Sequence, residues 1–153
     1  MTEKQIWLNA NKKARKTAKW AITLTKVRIT KQISRTKWHL LTFVGPNGGE
    51  SVGIVDLLAI RKNHRPVDEA FNRGDLFDVV LIQVKGGAAL LPSVSDIRRL
   101  RQVAAYYNAK AVLLSQWKRG RQVEFSILND AYTDDLPKND AWLPLNSLHK
   151  IFN

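Results

Sequence analysis

The sequence contains no cysteine, and this absence excludes several kinds of chemistry. Without cysteine there is no disulfide framework, no thiolate zinc site, no iron–sulfur cluster and no cysteine nucleophile. Any catalysis by this chain therefore depends on carboxylates, lysine, histidine, hydroxyl groups or a hard metal ion. The histidines, His39, His64 and His149, lie far apart and show none of the short spacings that are typical of a metal site.

Long apolar segments are also missing. No run of about 20 apolar residues is present to span a bilayer, and the first residues lack the charged and then apolar order of a secretory signal. We therefore expect a soluble cytoplasmic protein without a membrane partner. The length of 153 residues suits a single domain, and 44% apolar residues are enough for one packed core.

Acidic residues are nearly absent from the first 40 positions. This stretch holds 11 lysines and arginines and one acid, Glu3, whereas residues 41–153 hold 14 basic and 12 acidic residues. A segment with so much charge of one sign repels itself, and a polyanion relieves that repulsion. Nucleic acid is therefore the expected partner, and a solvated surface that aids solubility is the alternative. The residues expected to contact the nucleic acid in this region are Lys12, Lys13, Arg15, Lys16 and Lys19.

Periodicity predicts helices and strands in the order helix, strand, strand, strand, helix, strand, strand. The first helix is expected over residues 3–24, and residues 27–33 are compatible with a strand or an extended connection. The strands are expected at 38–44, 51–61, 77–85, 111–118 and 122–128, with a loop at 62–76, a turn at 118–121 and a second helix from Ser93 or Ser95 to about Asn108. The strand at 77–85 is almost wholly apolar, as expected of a central strand covered on both faces. The second helix has one apolar side, expected to be buried, which consists of Ile97, Leu100, Val103, Ala104 and Tyr107. This order predicts an α/β sandwich with one mixed sheet and helices on its faces. A basic helix with its extension, residues 1–36, precedes the core, residues 37–153, within one domain.

Polar residues lie within or at the end of two strands that are otherwise apolar. Asp56 follows Val55 in the second predicted strand, and Gln83 and Lys85 flank Val84 at the end of the third. Because side chains alternate along a strand, Gln83 and Lys85 point to the same side, and Asp56 joins them if the two strands are neighbours. Burial of a lone carboxylate is costly unless it is paired or binds a metal. A purely structural pair of Asp56 with Lys85 is therefore the alternative to a functional site.

These residue types suit a divalent metal ion beside a phosphate. Mg²⁺ takes few protein oxygens and keeps several waters, so Asp56 would supply an anionic ligand, Gln83 an amide oxygen and Val84 its main-chain carbonyl. Lys85 would orient or help to deprotonate an attacking water, or stabilise negative charge on the phosphorus. The site predicted from these residues is a Mg²⁺ or Mn²⁺ site for phosphodiester hydrolysis.

The pair Val55-Asp56, followed by Gln83-Val84-Lys85, resembles the PD-(D/E)XK nuclease superfamily. The resemblance covers about residues 38–128 and implies a restriction-endonuclease-like sandwich and a metal-dependent DNA nuclease, with DNA favoured over RNA. It implies catalytic roles for Asp56, Gln83 and Lys85. The sequence departs from the family at Gln83, where an acid is usual, and we expect weaker metal binding as a result. Glu50 lies an even number of residues before Asp56, so it would be a further catalytic ligand if the strand is regular that far.

The second predicted helix carries a further resemblance. This helix and the strand after it are similar to archaeal Holliday-junction resolvases, which implies a structured substrate and a homodimer that cuts two strands symmetrically. Gln102 and Tyr106 fit the Q-x-x-x-Y pattern of RecB-type nucleases, which implies that both lie near the active site or the DNA. Arg98 and Arg99 are expected to contact phosphates. Two alternatives stay open: an inactive nucleic-acid-binding protein on the same fold, and an RNA-binding protein that uses only its basic helix.

Overall fold

The computed structural model describes residues 1–43, 52–65 and 69–153. These residues form one mixed six-stranded sheet and two α-helices, so the predicted α/β class is confirmed. The helices are α1 (Glu3–Ile33) and α2 (Val94–Tyr106). The strands are β1 (His39–Thr42), β2 (Leu57–Asn63), β3 (Leu76–Gly86), β4 (Ala111–Trp117), β5 (Glu124–Leu128) and β6 (Trp142–Pro144). Short 3₁₀ turns at Lys138–Ala141 and Leu148–Lys150 flank β6 and were not predicted.

The strands lie in the sheet in the same order as in the chain. All neighbouring pairs are antiparallel except β3 and β4, which are parallel and connected through α2. Residues 80–83 of β3 are buried one after another, because α1 covers one face of the sheet and α2 the other. The prediction that this apolar segment is a central strand covered on both faces is therefore confirmed.

The first helix is longer than predicted and includes residues 27–33. Its buried side chains, Ala21, Thr25, Ile29 and Ile33, recur every four residues and pack against the sheet. Ile29 and Ile33 are β-branched and favour strands when taken alone. Here they continue the buried stripe of the helix. Tertiary packing therefore decides the conformation, and the alternative of a strand or extended connection was wrong.

A capping box starts each helix. Thr2 Oγ1 accepts a hydrogen bond from the main-chain N–H of Gln5 at 3.3 Å, and Ser93 Oγ accepts one from the main-chain N–H of Asp96 at 3.1 Å. In both cases the side chain of the third helical residue accepts a hydrogen bond from the N–H of the capping residue. Of the two caps predicted for α2, Ser93 is the one that the structure uses.

The second helix buries the predicted side but ends earlier than expected. Ile97 and Leu100 are fully buried, and Val103 packs partly against the same cluster. The helix ends at Tyr106, and the C-cap residue Tyr107 is 60% exposed. The prediction that Tyr107 lies on the buried side was therefore wrong, because the helix does not continue far enough to bring its ring over the sheet.

The second strand starts later than predicted. It runs from residue 57 to residue 63, so Asp56 lies directly before the strand instead of interrupting it. The main-chain N–H of Asp56 nevertheless donates to the carbonyl of Ile82 at 3.0 Å, which keeps this residue beside β3. The predicted loop at 62–76 was too long by one or two residues at each end, where β2 and β3 continue their antiparallel pairing.

The two halves of α1 have different surroundings. The C-terminal half packs against the sheet, whereas residues 3–16 are almost all exposed, including Trp7 at 64%. At 1.5 Å per residue the helix is about 46 Å long, so its cations are spread over a large surface. In the described ranges no helix has the length and apolar character needed to cross a membrane.

Candidate active site

A cavity of about 900 Å³ lies between α1, the end of β3 and the start of β2. Asp56, Gln83, Val84 and Lys85 line it, and Lys13 lines it from the side of α1. The structure therefore brings the three residues that the sequence singled out, Asp56, Gln83 and Lys85, to the wall of a single cavity. Asp56 and Lys85 are half-buried there, and Gln83 is buried.

Two glycines let α1 come close to the end of β3. A Cβ atom on Gly86 would lie 2.7 Å from Ala21 Cβ and 3.1 Å from the main-chain oxygen of Thr17. A Cβ atom on Gly87 would lie 2.7 Å from Thr17 Cγ2, and Gly87 has a φ of +63°, which favours glycine. A side chain at either position would push the helix away from this edge of the cavity.

Asp56 is positioned by the neighbouring strand. Its Oδ2 atom accepts a hydrogen bond from the main-chain N–H of Val84 at 2.7 Å. In a regular strand the N–H and the carbonyl of one residue point to the same side, so we infer that the Val84 carbonyl is directed toward the same space beyond the start of β2. A carboxylate and a carbonyl oxygen therefore come together where the pairing of β2 with β3 ends.

Gln83 carries an unusual buried oxygen. The side chain is 5% exposed, and among residues 1–43, 52–65 and 69–153 no group donates a hydrogen bond to its Oε1 atom. Native proteins satisfy nearly all buried polar atoms, because an unsatisfied one costs about 1–3 kcal/mol. Because this oxygen is fully buried, the Gln83 side chain must turn toward the cavity before a cation or a water there can supply the missing partner.

Lys85 lies between the cavity and the start of α2. It is two residues from Gln83 in β3, so both side chains lie on the face of the sheet that α2 covers. The carboxyl group of Asp96 has a lowered pKa, first because it accepts a hydrogen bond from the Ser93 N–H and further because of the positive charge of Lys85. The Lys85 ammonium group is therefore within electrostatic reach of Asp96.

Cations outnumber acids around the cavity. Lys13, Lys85 and Arg119 line it, and Asp56 is the one acid among the lining residues that the structure describes. Arg119 comes from the connection between β4 and β5, for which the sequence predicts only a turn. Its position near the candidate site depends on the parallel pairing of β4 with β3, so no local pattern indicates it. The excess of positive charge favours an anionic ligand such as a phosphate group.

The predicted metal ligands offer oxygen atoms only, and such hard donors suit Mg²⁺ or Mn²⁺. In the part of the chain that the structure describes, no three His, Cys, Asp or Glu residues cluster as a metal site. One carboxylate with neutral oxygens still fits Mg²⁺, because this ion usually retains several waters. Glu50, the predicted further ligand, lies outside the described residues.

The predicted nucleic-acid contacts lie on two separate surfaces. The five on α1 are Lys12, Lys13, Arg15, Lys16 and Lys19, all exposed, and of these Lys13 lines the cavity. The four on α2 are Arg98, Arg99, Gln102 and Tyr106, which are exposed but do not line it. The structure therefore brings one of these nine side chains into the wall of the cavity.

Two of the arginines on α2, Arg98 and Arg99, interact with acids of the protein itself. Arg98 donates two hydrogen bonds to Asp134, at 2.6 and 3.1 Å, and this contact raises the pKa of its guanidinium group. Arg99 lies 4.0 Å from the carboxylate of Asp96. By contrast, α1 has no acid after Glu3. The surface of α1 is therefore the more strongly cationic of the two.

One side of α1 faces the cavity, and this side was not predicted from the sequence. Ala10, Ala14, Thr17 and Ala18 line this wall. Their spacing of three or four residues was the available signal, but small residues on a helix equally indicate close packing without a cavity. Their short side chains leave the space between helix and sheet open.

Comparisons with protein-family models, with curated proteins and with solved structures find no match. The geometry and charge of the site are therefore the basis for a functional assignment.

Proposed function

We propose that the protein is a metal-dependent nuclease that hydrolyses DNA phosphodiester bonds with Mg²⁺ or Mn²⁺. The observation that carries this proposal is the buried Gln83 Oε1 atom, which has no donor within the described residues and shares a cavity with Asp56 and Lys85. An oxygen in need of a positive partner, a carboxylate and a neighbouring ammonium group are the components of a metal site that acts on a phosphate.

The order of elements supports the same proposal. Asp56 precedes the second strand, Lys85 lies at the end of the third, and a helix and two further strands follow. This arrangement is compatible with a restriction-endonuclease-like sandwich of the PD-(D/E)XK type. By the same likeness we propose a branched or otherwise structured DNA as substrate, with a homodimer that cuts both strands.

Each residue of the site has a distinct role in this mechanism. Asp56, Gln83 and the Val84 carbonyl would hold the ion, and the Val84 N–H fixes the orientation of the carboxylate. When bound, Mg²⁺ supplies a polarised phosphoryl oxygen and a water of lowered pKa. Lys85 donates to a non-bridging phosphate oxygen and stabilises the negative charge that develops there. Lys13 and Arg119 attract the phosphate backbone to the cavity.

A cleavage assay with matched variants tests the proposal. Labelled duplex, single-stranded and four-way-junction DNA are incubated with Mg²⁺, Mn²⁺ or EDTA. We expect metal-dependent cutting that Asp56→Asn and Lys85→Ala each reduce by about 10²-fold or more, while the exposed Lys138→Gln control stays active. Cutting in EDTA, or cutting that survives both substitutions, would show that this site is not the catalytic one.

The charge of the cavity favours a second candidate function, a nucleic-acid-binding protein without catalysis. Three cations and one acid line the cavity within the described residues, which suits a phosphate better than a metal ion. A non-catalytic protein of this kind would bind DNA tightly at low salt. It would not cut any of the DNA substrates in the cleavage assay.

RNA binding by the basic helix alone is tested separately. Deleting residues 1–36 is unsuitable because the C-terminal half of α1 belongs to the core. Substituting Lys12, Lys16 and Lys19 by glutamine removes exposed charge without touching the core. If these changes abolish RNA binding and the cavity variants leave it intact, the basic helix is the binding surface.

A further inference from the structure

A second basic cavity lies at the opposite end of β3 from the candidate active site. It has a volume of about 380 Å³ and is bordered by the segment after α1, the end of β2 and the start of β3. The lysines and arginines that line it are Arg35, Lys37, Arg61, Lys62 and Arg65, and the lining acid in the described part of the chain is Asp78.

The acid in this cavity is already engaged. Asp78 Oδ2 accepts a hydrogen bond from Arg61 Nε at 2.9 Å, and Asp78 Oδ1 accepts one from Asn63 Nδ2 at 3.2 Å. Arg61 also donates to the main-chain oxygen of Asn153 at 2.6 Å and lies 4.6 Å above the ring of Trp38. Arg61 therefore connects Asp78, Asn153 and Trp38 in the wall of the cavity. Both carboxylate oxygens of Asp78 already accept hydrogen bonds.

The other four cations are exposed at the surface of the cavity. These are Arg35, Lys37, Lys62 and Arg65. A further cation near the cavity, Lys110, has a pKa lowered by partial burial and then by repulsion from Arg61 and Arg65, which together outweigh the attraction of Asp78. Positive charge therefore accumulates here, and a bound anion would relieve the repulsion.

The first helix connects the two cavities, because residues from its range 10–22 line the first cavity and Arg35, two residues beyond its end, lines the second. Asp78 and Lys85 are seven residues apart in β3, which corresponds to about 23 Å. That distance equals roughly seven base pairs of a duplex at 3.4 Å per step. Between Lys13 and Arg35 the chain has no acid and six cations, Arg15, Lys16, Lys19, Lys26, Arg28 and Lys31.

We propose that this second cavity binds a backbone phosphate of the same nucleic acid whose scissile phosphate lies at the candidate active site. The inference rests on the nucleic-acid binding of the proposed function and adds a remote anchor to it. Lys62 and Arg65 contact the phosphate, while Arg61 supports them from within. A duplex fits better than a small phosphorylated molecule because the cations surround an open cavity and the connecting helix is basic along its length.

Binding of a 20-base-pair duplex in EDTA tests the anchor without requiring catalysis. Dissociation constants are measured by fluorescence anisotropy over a series of salt concentrations. For Lys62→Gln/Arg65→Gln we expect weaker binding by about tenfold or more near 0.1 M salt, and a slope of log K against log salt that is smaller by about 2. Each single variant should show about half of that reduction in slope. Lys138→Gln, which removes one exposed charge elsewhere, serves as the control for the single variants, and thermal unfolding verifies that each variant is folded.

Two further arms distinguish the possible ligands. A hairpin with a five-base-pair stem is too short to reach both cavities, so we expect the double variant to affect it less than the long duplex. If duplex affinity and salt slope stay unchanged in the double variant, the anchor does not exist. If the substitutions remove binding of inorganic phosphate but leave duplex binding intact, the cavity serves a small anion and the proposal is overturned. If the duplex results are as expected and no metal supports cutting, the anchor stands and the nuclease assignment fails.

Discussion

The carboxylate of Asp56 accepts a hydrogen bond from the main-chain N–H of Val84 at 2.7 Å. This contact joins the start of β2 to the end of β3 and fixes the carboxylate next to the strand that carries Gln83 and Lys85. Asp56 therefore has a structural role in addition to the proposed catalytic one. Loss of activity in Asp56→Ala alone would therefore not distinguish the structural role from the proposed catalytic one.

Two substitutions separate these roles of Asp56. Asp56→Ala leaves the Val84 N–H without its acceptor, so we expect it to lower the free energy of unfolding by about 1–2 kcal/mol. Asp56→Asn keeps a side-chain oxygen and should cost less stability, while it removes the negative charge that the proposed ion would require. Urea unfolding measures the stabilities, and equal losses in the two variants would contradict this account of the hydrogen bond.

Changing Gln83→Glu adds a second carboxylate to the cavity. Without metal, the like charges of Glu and Asp56 in a buried position should lower the melting temperature. Adding Mn²⁺ should then raise the melting temperature more than in the unaltered protein, because an anionic oxygen binds the ion more tightly than an amide oxygen. Gln102→Glu makes the same change on the exposed surface of α2 and should show no such response. If Mn²⁺ does not raise the melting temperature of the Gln83→Glu variant, this result would argue against a metal ion at this position.

A buried pair of hydroxyl groups connects α1 to β4. Thr25 Oγ1 lies 2.7 Å from the main-chain oxygen of Ala21 and 2.6 Å from Ser115 Oγ. Because Thr25 has one hydroxyl proton and donates it to Ala21, Ser115 donates to Thr25. Thr25→Val should therefore cost about 1–3 kcal/mol by leaving the Ser115 hydroxyl unsatisfied.

A double-mutant cycle checks this pairing. The variant Thr25→Val/Ser115→Ala should lose less stability than the sum of the two single changes, by about 0.5 kcal/mol or more. Additive losses in urea unfolding would indicate that the hydroxyl groups do not depend on each other.

The close approach of α1 to β3 at Gly86 predicts a steric effect. Gly86→Ala would place its Cβ 2.7 Å from that of Ala21, so either the helix or the strand must move. We expect a loss of about 1–3 kcal/mol in the free energy of unfolding. Adding Ala21→Gly should restore part of this loss, although the contact with the Thr17 oxygen remains. No recovery in the double variant would show that the Ala21 contact is unimportant.

The start of α2 predicts a dependence of stability on pH. The Ser93 N–H bond and the Lys85 charge lower the pKa of Asp96 in the folded protein. Its contribution is therefore present above the unfolded pKa of about 4 and is lost as the pH falls through the lower folded value. Because the Asp96 side chain is 33% exposed, solvent screens its interactions in part, and we expect an effect below about 1 kcal/mol. Between pH 5 and pH 2, Asp96→Asn should lose less stability than the unaltered protein. If the stability of the two proteins falls with pH in the same way, the lowered pKa of Asp96 does not contribute to stability.

Elements with strong local patterns were predicted well. The apolar run of β3, the cap at Ser93 and the buried side chains Ile97 and Leu100 follow from burial, capping and periodicity within a few residues. Failures occurred where a distant contact outweighs local preference. Ile29 and Ile33 favour a strand by composition, yet they lie in α1 because the sheet buries their side of the helix.

The sequence by itself determined that Gln83 and Lys85 share one face of a strand, because alternation depends only on neighbouring residues. It also determined that positive charge accumulates before residue 40. Only the tertiary structure decided that Asp56 meets these residues, since the hydrogen-bond register between β2 and β3 fixes that contact. The same holds for Arg119 and for the second basic cavity, which are assembled from segments distant in the chain. Strand pairing and helix packing are non-local, so no short pattern in the sequence encodes these sites.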